Sequence, residues 1–104
     1  MKKKVRLRWS PLANEDLRRL RNWIMAAGAP RTARSFVSRL RKRVAQLRDF
    51  PELGAIVEDY NDPAFREIDF QDQRIVYRFD GALVMILTVF HGSHTPNLSR
   101  LLGD

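Results

Sequence analysis

Apolar and basic side chains alternate near the start of the chain. Val5, Leu7 and Trp9 occupy every second position, with an arginine between each pair. This period of two is typical of a β-strand that turns one face to the core. Ser10 and Pro11 follow directly, and they supply a hydroxyl that can cap a helix and a proline that fits its first turn. The pattern therefore predicts a short strand that leads into a helix.

Two amphipathic helices are predicted next. In each, apolar side chains recur at spacings of three and four residues, as they do on one face of an α-helix. Gly28 ends the first helix, and Pro51 blocks continuation of the second. Because so few residues connect them, we expect an antiparallel helical hairpin. The stripes are Ala13, Leu17, Leu20, Ile24 and Ala27 in the first helix and Ala33, Val37, Leu40, Val44 and Leu47 in the second.

Shorter segments with strand character fill the second half of the chain. Asp80 and Gly81 form a dipeptide typical of a tight hairpin turn. The segment from Leu83 to Phe90 is nearly all apolar and rich in β-branched residues, which favours a central strand over a helix. Polar residues 71–73 are interpreted as a further turn. The predicted strands cover residues 55–58, 65–70, 74–79 and 83–90.

These elements predict an α+β fold in a single domain over residues 1–104. A single strand and an antiparallel helical hairpin come first, followed by a three- to four-stranded antiparallel sheet packed under the helices. The chain has no cysteine and no apolar run of membrane-spanning length, so we expect a cytoplasmic protein without membrane association. No metal or cofactor is expected, because no cysteine or nearby carboxylate completes a ligand set with His91 and His94.

The charge of the chain is strongly asymmetric. Residues 1–50 carry 15 Lys and Arg against 3 Asp and Glu, whereas residues 51–104 carry 4 against 9, so the two halves have net charges of +12 and −5. Such a dipole should attract nucleic acid, an acidic peptide or an acidic protein surface to the basic half. Direct duplex recognition is disfavoured, because no recognition helix, zinc module or aromatic platform is evident.

Five stretches follow one another over most of the chain. They are Trp9 to Ala13 with Asp16 and Leu17, Leu47 to Pro51 with Gly54, Arg66 and Glu67, Arg74 to Arg78, and Ile86 to Gly92. In this order they resemble the RelE/ParE superfamily of type II toxins, and the resemblance implies the toxin fold.

The superfamily resembled here has two branches with different chemistry. RelE-like members cut mRNA on the ribosome, and the resemblance would then assign catalysis to Arg66, Arg74, His91 and His94. ParE-like members trap DNA gyrase, which requires binding and no catalytic residues. The chain has no lysine beyond Lys42, and the segment after His91 has no tyrosine, so the resemblance is closer to the ParE-like branch. The ribosome and mRNA remain the alternative target, and an inactive member that only binds its partner is a third possibility.

The same resemblance implies target-binding and antitoxin-binding residues. The candidates for target contact are Arg74, Arg78, His91 and His94. Alternatively, the arginines pair across the strands with Glu67, Asp69 or Asp72. For the histidines, the alternative is a structural hydrogen bond at the strand end and nothing more. A cognate antitoxin is expected to wrap its acidic C-terminal arm around the basic helices and form a hetero-oligomer. Alternatively, the arginines belong to a solvated helix face and Trp23 to the ordinary core, with no partner involved. The candidates for antitoxin binding are Leu12, Leu20, Trp23, Phe36, Arg34 and Arg41.

Overall fold

The computed structural model describes residues 3–93. A strand, two helices and four further strands follow one another in the order that the sequence predicts. Residues 27–29 alone separate the helices, so the predicted helical hairpin is confirmed. The helices are α1, Pro11–Ala26, and α2, Pro30–Ala45, and short 3-10 helices cover Gln46–Arg48 and Glu58–Tyr60. The strands are β1, Arg6–Trp9; β2, Ala55–Ile56; β3, Phe65–Phe70; β4, Gln73–Phe79; and β5, Leu83–His91.

The five strands form one sheet in the order β1-β5-β4-β3-β2. Strands β2 to β5 pair antiparallel, which confirms the predicted four-stranded antiparallel sheet. Strand β1 adds a fifth strand, parallel to β5 at the sheet edge, a pairing that the sequence pattern did not indicate. In the part of the chain that the structure describes, neither helix is long and apolar enough to cross a membrane.

Predicted strand boundaries differ from the structure by one or two residues. The strand predicted over residues 55–58 ends at Ile56, because Glu58 begins a 3-10 helix. The turn predicted over residues 71–73 is one residue shorter, since Gln73 already pairs with Phe70 in the β3–β4 ladder.

The helices cover one face of the sheet and form the main core with it. The opposite face carries a smaller cluster in which Val57, Phe65 and Val76 are buried, with Tyr60, Leu87 and Phe90 packed beside them. Alternate residues of β3 and β4 turn towards the helices, and Ile68, Ile75 and Tyr77 belong to the main core. The buried members of that core are Ala13, Leu17, Leu40, Val44, Leu47, Ile68, Ile75, Tyr77, Val84, Ile86 and Val89.

A bulge in β5 receives the first turn of α1. Val76 pairs with Thr88 and Tyr77 with Ile86, so one step along β4 corresponds to two residues of β5. Ser10 caps α1 as predicted: its hydroxyl accepts from the Ala13 N–H at 3.0 Å. The same hydroxyl donates to the Leu87 carbonyl at 3.0 Å. The cap therefore also fixes the start of α1 to the bulge.

Asp16 makes the second connection between α1 and the bulge. Its carboxylate accepts from the Thr88 hydroxyl at 2.6 Å and from the Val89 N–H at 3.0 Å. The side chain of Asp16 is only 10% exposed, which makes hydrogen bonds to its charge stronger than those at the surface. Asp16 and the Ser10 cap together therefore hold the first turns of α1 against the β5 bulge.

The hydroxyl of buried Tyr77 fixes the segment that leads into β2. It donates to the Pro51 carbonyl at 2.8 Å and accepts from the Gly54 N–H at 2.9 Å. Burial raises the pKa of Tyr77 above its ordinary value of 10.0, although the Gly54 N–H and the Arg66 guanidinium act in the opposite direction. This pKa shift indicates that the fold favours the neutral hydroxyl.

Removing this hydroxyl by Tyr77→Phe is expected to lower the free energy of unfolding by about 1–3 kcal/mol at neutral pH, because the buried Gly54 N–H and the partly buried Pro51 carbonyl lose their partner. The stabilisation by the neutral hydroxyl is present below pH 10.0, the unfolded-state pKa, and is lost as the pH rises towards the higher folded-state pKa. The difference in the free energy of unfolding between wild type and Tyr77→Phe should therefore be smaller at about pH 11 than at neutral pH. Urea unfolding at both pH values measures it, and an equal difference at both would contradict the proposed role of the hydroxyl.

Candidate partner-binding groove

A surface groove runs along the helical hairpin and on to β1. It consists of three cavities that share lining residues: Arg21 and Val37 line the first two, Ala45 lines the last two, and Arg41 lines all three. The middle cavity has a volume of about 580 Å³. We call this feature the cationic groove. Its lining residues are Asn14, Leu17, Arg18, Arg21, Arg34, Val37, Ser38, Arg41, Lys42 and Ala45, with Arg6, Leu7, Trp9, Val44 and Arg48 at the β1 end.

The charge of this groove is uncompensated. Seven of its lining side chains are cationic and none is acidic. Among residues 3–93, none of the seven forms an ion pair with another side chain. Like charges held close together repel, so an anionic ligand in the groove would relieve that repulsion. The seven cations are Arg6, Arg18, Arg21, Arg34, Arg41, Lys42 and Arg48.

Arg41 lies at the centre of this groove. Its guanidinium carbon is 5.1 Å from the centroid of the Trp9 ring, a distance at which a cation is attracted to an aromatic face. The ring restrains the guanidinium while its N–H groups remain available for a carboxylate or phosphate. Arg34 and Arg41, both predicted to bind the antitoxin, therefore line the same groove.

The four apolar candidates for antitoxin binding lie elsewhere. Leu20 and Phe36 are partly buried against the main core, and the Phe36 ring packs edge-on to Phe70 at 5.4 Å. Leu12 and Trp23 are 42% and 73% exposed. They are eleven residues apart, close to three helical turns, so they share a face of α1. Their role in partner binding stays a prediction, on a surface separate from the groove.

The residues predicted for RNA cleavage are distributed over both faces of the sheet. Cross-strand partners share a face and neighbours along a strand alternate. Arg66 pairs with Tyr77, and His91 pairs with Gln73, so both project on the helix-covered face. Arg74 pairs with Phe90 and projects on the opposite face. The register therefore does not bring Arg66, Arg74 and His91 together, and His94 lies outside the described residues.

The arginines of this set have protein partners of their own. Arg74 forms ion pairs with Glu67 and Asp69 at 3.9 and 3.7 Å, which confirms the predicted pairing across the strands. The Arg66 guanidinium donates to the Gly54 carbonyl at 2.8 Å and lies 3.8 Å from the Glu52 carboxylate. Arg66 therefore supports the segment before β2.

Arg78 and His91 differ in their surroundings. The guanidinium of exposed Arg78 lies 5.9 Å from the Phe65 ring centroid on the same face as Arg74. The Nδ1 atom of His91 accepts from the Ser93 N–H at 3.1 Å and lies 2.6 Å from its hydroxyl. A structural hydrogen bond at the strand end is thus confirmed. Within residues 3–93, no group of three or more His, Cys, Asp or Glu side chains is arranged to hold a metal ion.

Comparison with known proteins places the chain in a family. The model of the ParE toxin of type II toxin-antitoxin systems, parDE, matches residues 7–96. The chain therefore belongs to the ParE toxin family, within the RelE/ParE superfamily that the sequence motifs indicate. No curated protein sequence matches the chain significantly.

Two solved structures share the fold. A chain from the chromosomal ParDE toxin-antitoxin system of P. aeruginosa superposes with a TM-score of 0.73 at 20% identity, covering 86% of this chain and 98% of that one. A chain from the RelBE2 toxin-antitoxin complex of Mycobacterium tuberculosis has a TM-score of 0.56 at 23% identity, covering 85% and 98%. The toxin fold is confirmed, with the ParDE chain giving the higher score of the two.

Proposed function

We propose that this protein inhibits DNA gyrase and is neutralised by a cognate antitoxin. The observation that carries the proposal is the separation of Arg74 from Arg66 and His91 by the sheet. General acid–base cleavage of RNA requires its groups within hydrogen-bonding distance of one scissile phosphate. A toxin that acts by binding has no such requirement, and membership of the ParE family favours this mode of action.

The cationic groove supports an antitoxin partner. Its seven cations have no ion-pair partner among the described residues, and the acidic arm of an antitoxin would neutralise them. The two structural neighbours come from toxin-antitoxin systems. The cytoplasm, where gyrase acts on the chromosome, is the proposed site of action.

The face of the sheet opposite the helices supports contact with the target. Arg74 is 40% exposed in its side chain, and Arg78 is exposed beside it. Each lies two residues from Val76 along β4, on the face that carries the smaller apolar cluster. Arg74 is already paired with Glu67 and Asp69, so the exposed guanidinium of Arg78 is the cation that suits contact with an acidic protein or with the DNA held by gyrase.

The test measures gyrase supercoiling of plasmid DNA with the purified protein. We expect cleaved plasmid to accumulate, and prior addition of the antitoxin to prevent it. Arg74→Gln with Arg78→Gln should reduce the effect about tenfold or more, whereas Arg19→Gln, an exposed arginine paired with Glu15, should leave it unchanged. Unaffected supercoiling would exclude gyrase as the target. Cleavage of mRNA on ribosomes, lost in His91→Ala and Arg74→Ala, would identify the alternative, a RelE-like endoribonuclease.

A further inference from the structure

A row of three side chains crosses the face of the sheet opposite the helices. Arg8 of β1 pairs with Met85 of β5, and Met85 pairs with Arg78 of β4, and cross-strand partners project on one face. The residues before and after each of the three belong to the main core or pack against it, so the row points away from the helices. Neighbouring strands lie about 4.8 Å apart, so the two arginines leave the sheet about 10 Å apart with Met85 between them.

Apolar side chains of β5 extend this row along the strand. Leu83, Met85 and Leu87 are partly exposed, whereas the residues between them are fully buried. Leu87 packs beside the smaller apolar cluster, which lies on this same face. We call these three residues the apolar strip. The strip therefore separates Arg8 on one side from Arg78 on the other.

The charges of these two arginines are uncompensated. Arg8 and Arg78 are exposed, and neither forms an ion pair among residues 3–93. Strands β1 and β5 contain no acidic residue. The Asp80 carboxylate accepts the two N–H groups of its turn at 2.9 and 2.8 Å, and the β3 carboxylates on this face pair with Arg74. Both guanidinium groups are therefore available to an external anion.

The arrangement suits a ligand with two lines of negative charge. Arginine can bind one phosphate through two parallel hydrogen bonds. The grooves of duplex DNA are about 6 and 12 Å wide and run between the phosphates of its two strands. Two long side chains that start about 10 Å apart can reach phosphates on both sides of such a groove. Contacts of this kind fix a protein on DNA without reading the bases, so they require no recognition helix.

Single-stranded nucleic acid and acidic proteins fit this face less well. Single strands bind where their bases stack on exposed aromatic rings, but Phe65 is buried and Phe90 is only partly exposed. An acidic protein surface presents carboxylates at irregular distances, so it would engage one arginine without requiring the other. Duplex DNA uses Arg8, Arg78 and the apolar strip together.

We propose that Arg8 and Arg78 bind phosphates on the two strands of duplex DNA, on either side of a groove that faces the apolar strip. The proposal deepens the proposed function, since it names the DNA in the gyrase complex, and not the gyrase protein, as the surface that this face contacts. It assigns a role to Arg8, which the sheet brings beside residues of β4 and β5. Binding is independent of the DNA sequence and depends on both arginines.

Fluorescence anisotropy of a short labelled DNA duplex with the purified full chain tests the proposal. Arg8→Gln and Arg78→Gln should each weaken binding about fivefold or more at low salt. Each should also reduce the slope of log affinity against log salt by about 0.9, the value for one phosphate contact. Met85→Glu places a carboxylate between the two arginines, so it should weaken binding at least as strongly as the loss of either one.

A matched control removes the same charge elsewhere. Arg19 is an exposed arginine of α1 that pairs with Glu15, so Arg19→Gln should bind DNA with the affinity and salt slope of the wild type. Thermal unfolding of every variant shows that it is folded. DNA binding that is lost in Arg41→Gln but complete in Arg8→Gln would place the DNA in the cationic groove and overturn the proposal.

Gyrase assays separate this proposal from the proposed function. If gyrase is inhibited and Arg78→Gln loses affinity for DNA-free gyrase while its affinity for DNA is unchanged, the face binds protein and the DNA contact is wrong. If both arginines govern DNA affinity but the wild type leaves supercoiling unaffected, the DNA contact stands and gyrase alone is wrong as the target. If both proposals hold, Arg8→Gln should reduce the accumulation of cleaved plasmid by the same factor as its affinity for DNA.

Discussion

Replacing Gly54 by alanine is expected to lower the free energy of unfolding by about 3 kcal/mol or more. A Cβ atom at this position would lie 2.6 Å from the Glu67 carbonyl oxygen and 2.8 Å from the Tyr77 hydroxyl. Both groups are confined, since Glu67 belongs to the β3 ladder and Tyr77 is fully buried. The backbone must move away, and the hydrogen bond from the Gly54 N–H to Tyr77 is then weakened. Thermal and urea unfolding measure the loss.

A matched substitution controls for the added methyl group. A Cβ at Gly92 would meet the Asp72 carbonyl oxygen at 3.4 Å, so Gly92→Ala should change stability by less than about 1 kcal/mol. Adding Tyr77→Phe to Gly54→Ala should not restore stability, because the Glu67 carbonyl remains the closest contact. A Gly54→Ala protein as stable as wild type would show that the segment before β2 adapts freely.

The periodicity of apolar residues was sufficient to predict the helices and most strands. Ser10 and Pro11 begin α1 as predicted, and Gly28, at a φ of +83°, follows its end. The parallel pairing of β1 with β5 was not predictable in this way, because it joins residues nearly eighty positions apart and leaves no local pattern. Local propensities act within a few residues, whereas sheet order depends on how the whole chain packs.

The arginine-rich character of the site was predictable from the sequence, but its geometry was not. Charge counts located the basic half, whereas the groove exists only where α1, α2 and β1 meet. The stacking of Arg41 on Trp9 and the contribution of Arg6 depend on that packing.

The nuclease set was plausible on sequence grounds because the family resemblance matched its residues position by position. Whether they share a face depends on the register of three strands, which pairs Arg66 with Tyr77 and Arg74 with Phe90. Pairing between strands is set by the packing of the whole sheet, so matched positions alone did not determine it.

Asp16 helps to hold α1, and with it one wall of the cationic groove, against the sheet. Asp16→Ala is expected to lower the free energy of unfolding by about 2–4 kcal/mol, because the Thr88 hydroxyl and the Val89 N–H would lose a charged acceptor in a largely buried place. Asp16→Asn should cost less, since an amide oxygen can still accept one of these bonds. Chemical unfolding of the wild type, Asp16→Ala and Asp16→Asn measures the order of their stabilities.

The neighbouring carboxylate provides the control for this prediction. Glu15 is 60% exposed in its side chain and pairs with Arg19 at 3.5 Å, so Glu15→Ala should cost less than about 0.5 kcal/mol. Because α1 carries Arg18 and Arg21 into the groove, Asp16→Ala should also weaken binding of the proposed antitoxin, although Asp16 does not line the groove. Equal stability losses in Glu15→Ala and Asp16→Ala would show that net charge on the first turns, and not the bonds to the β5 bulge, holds the helix in place.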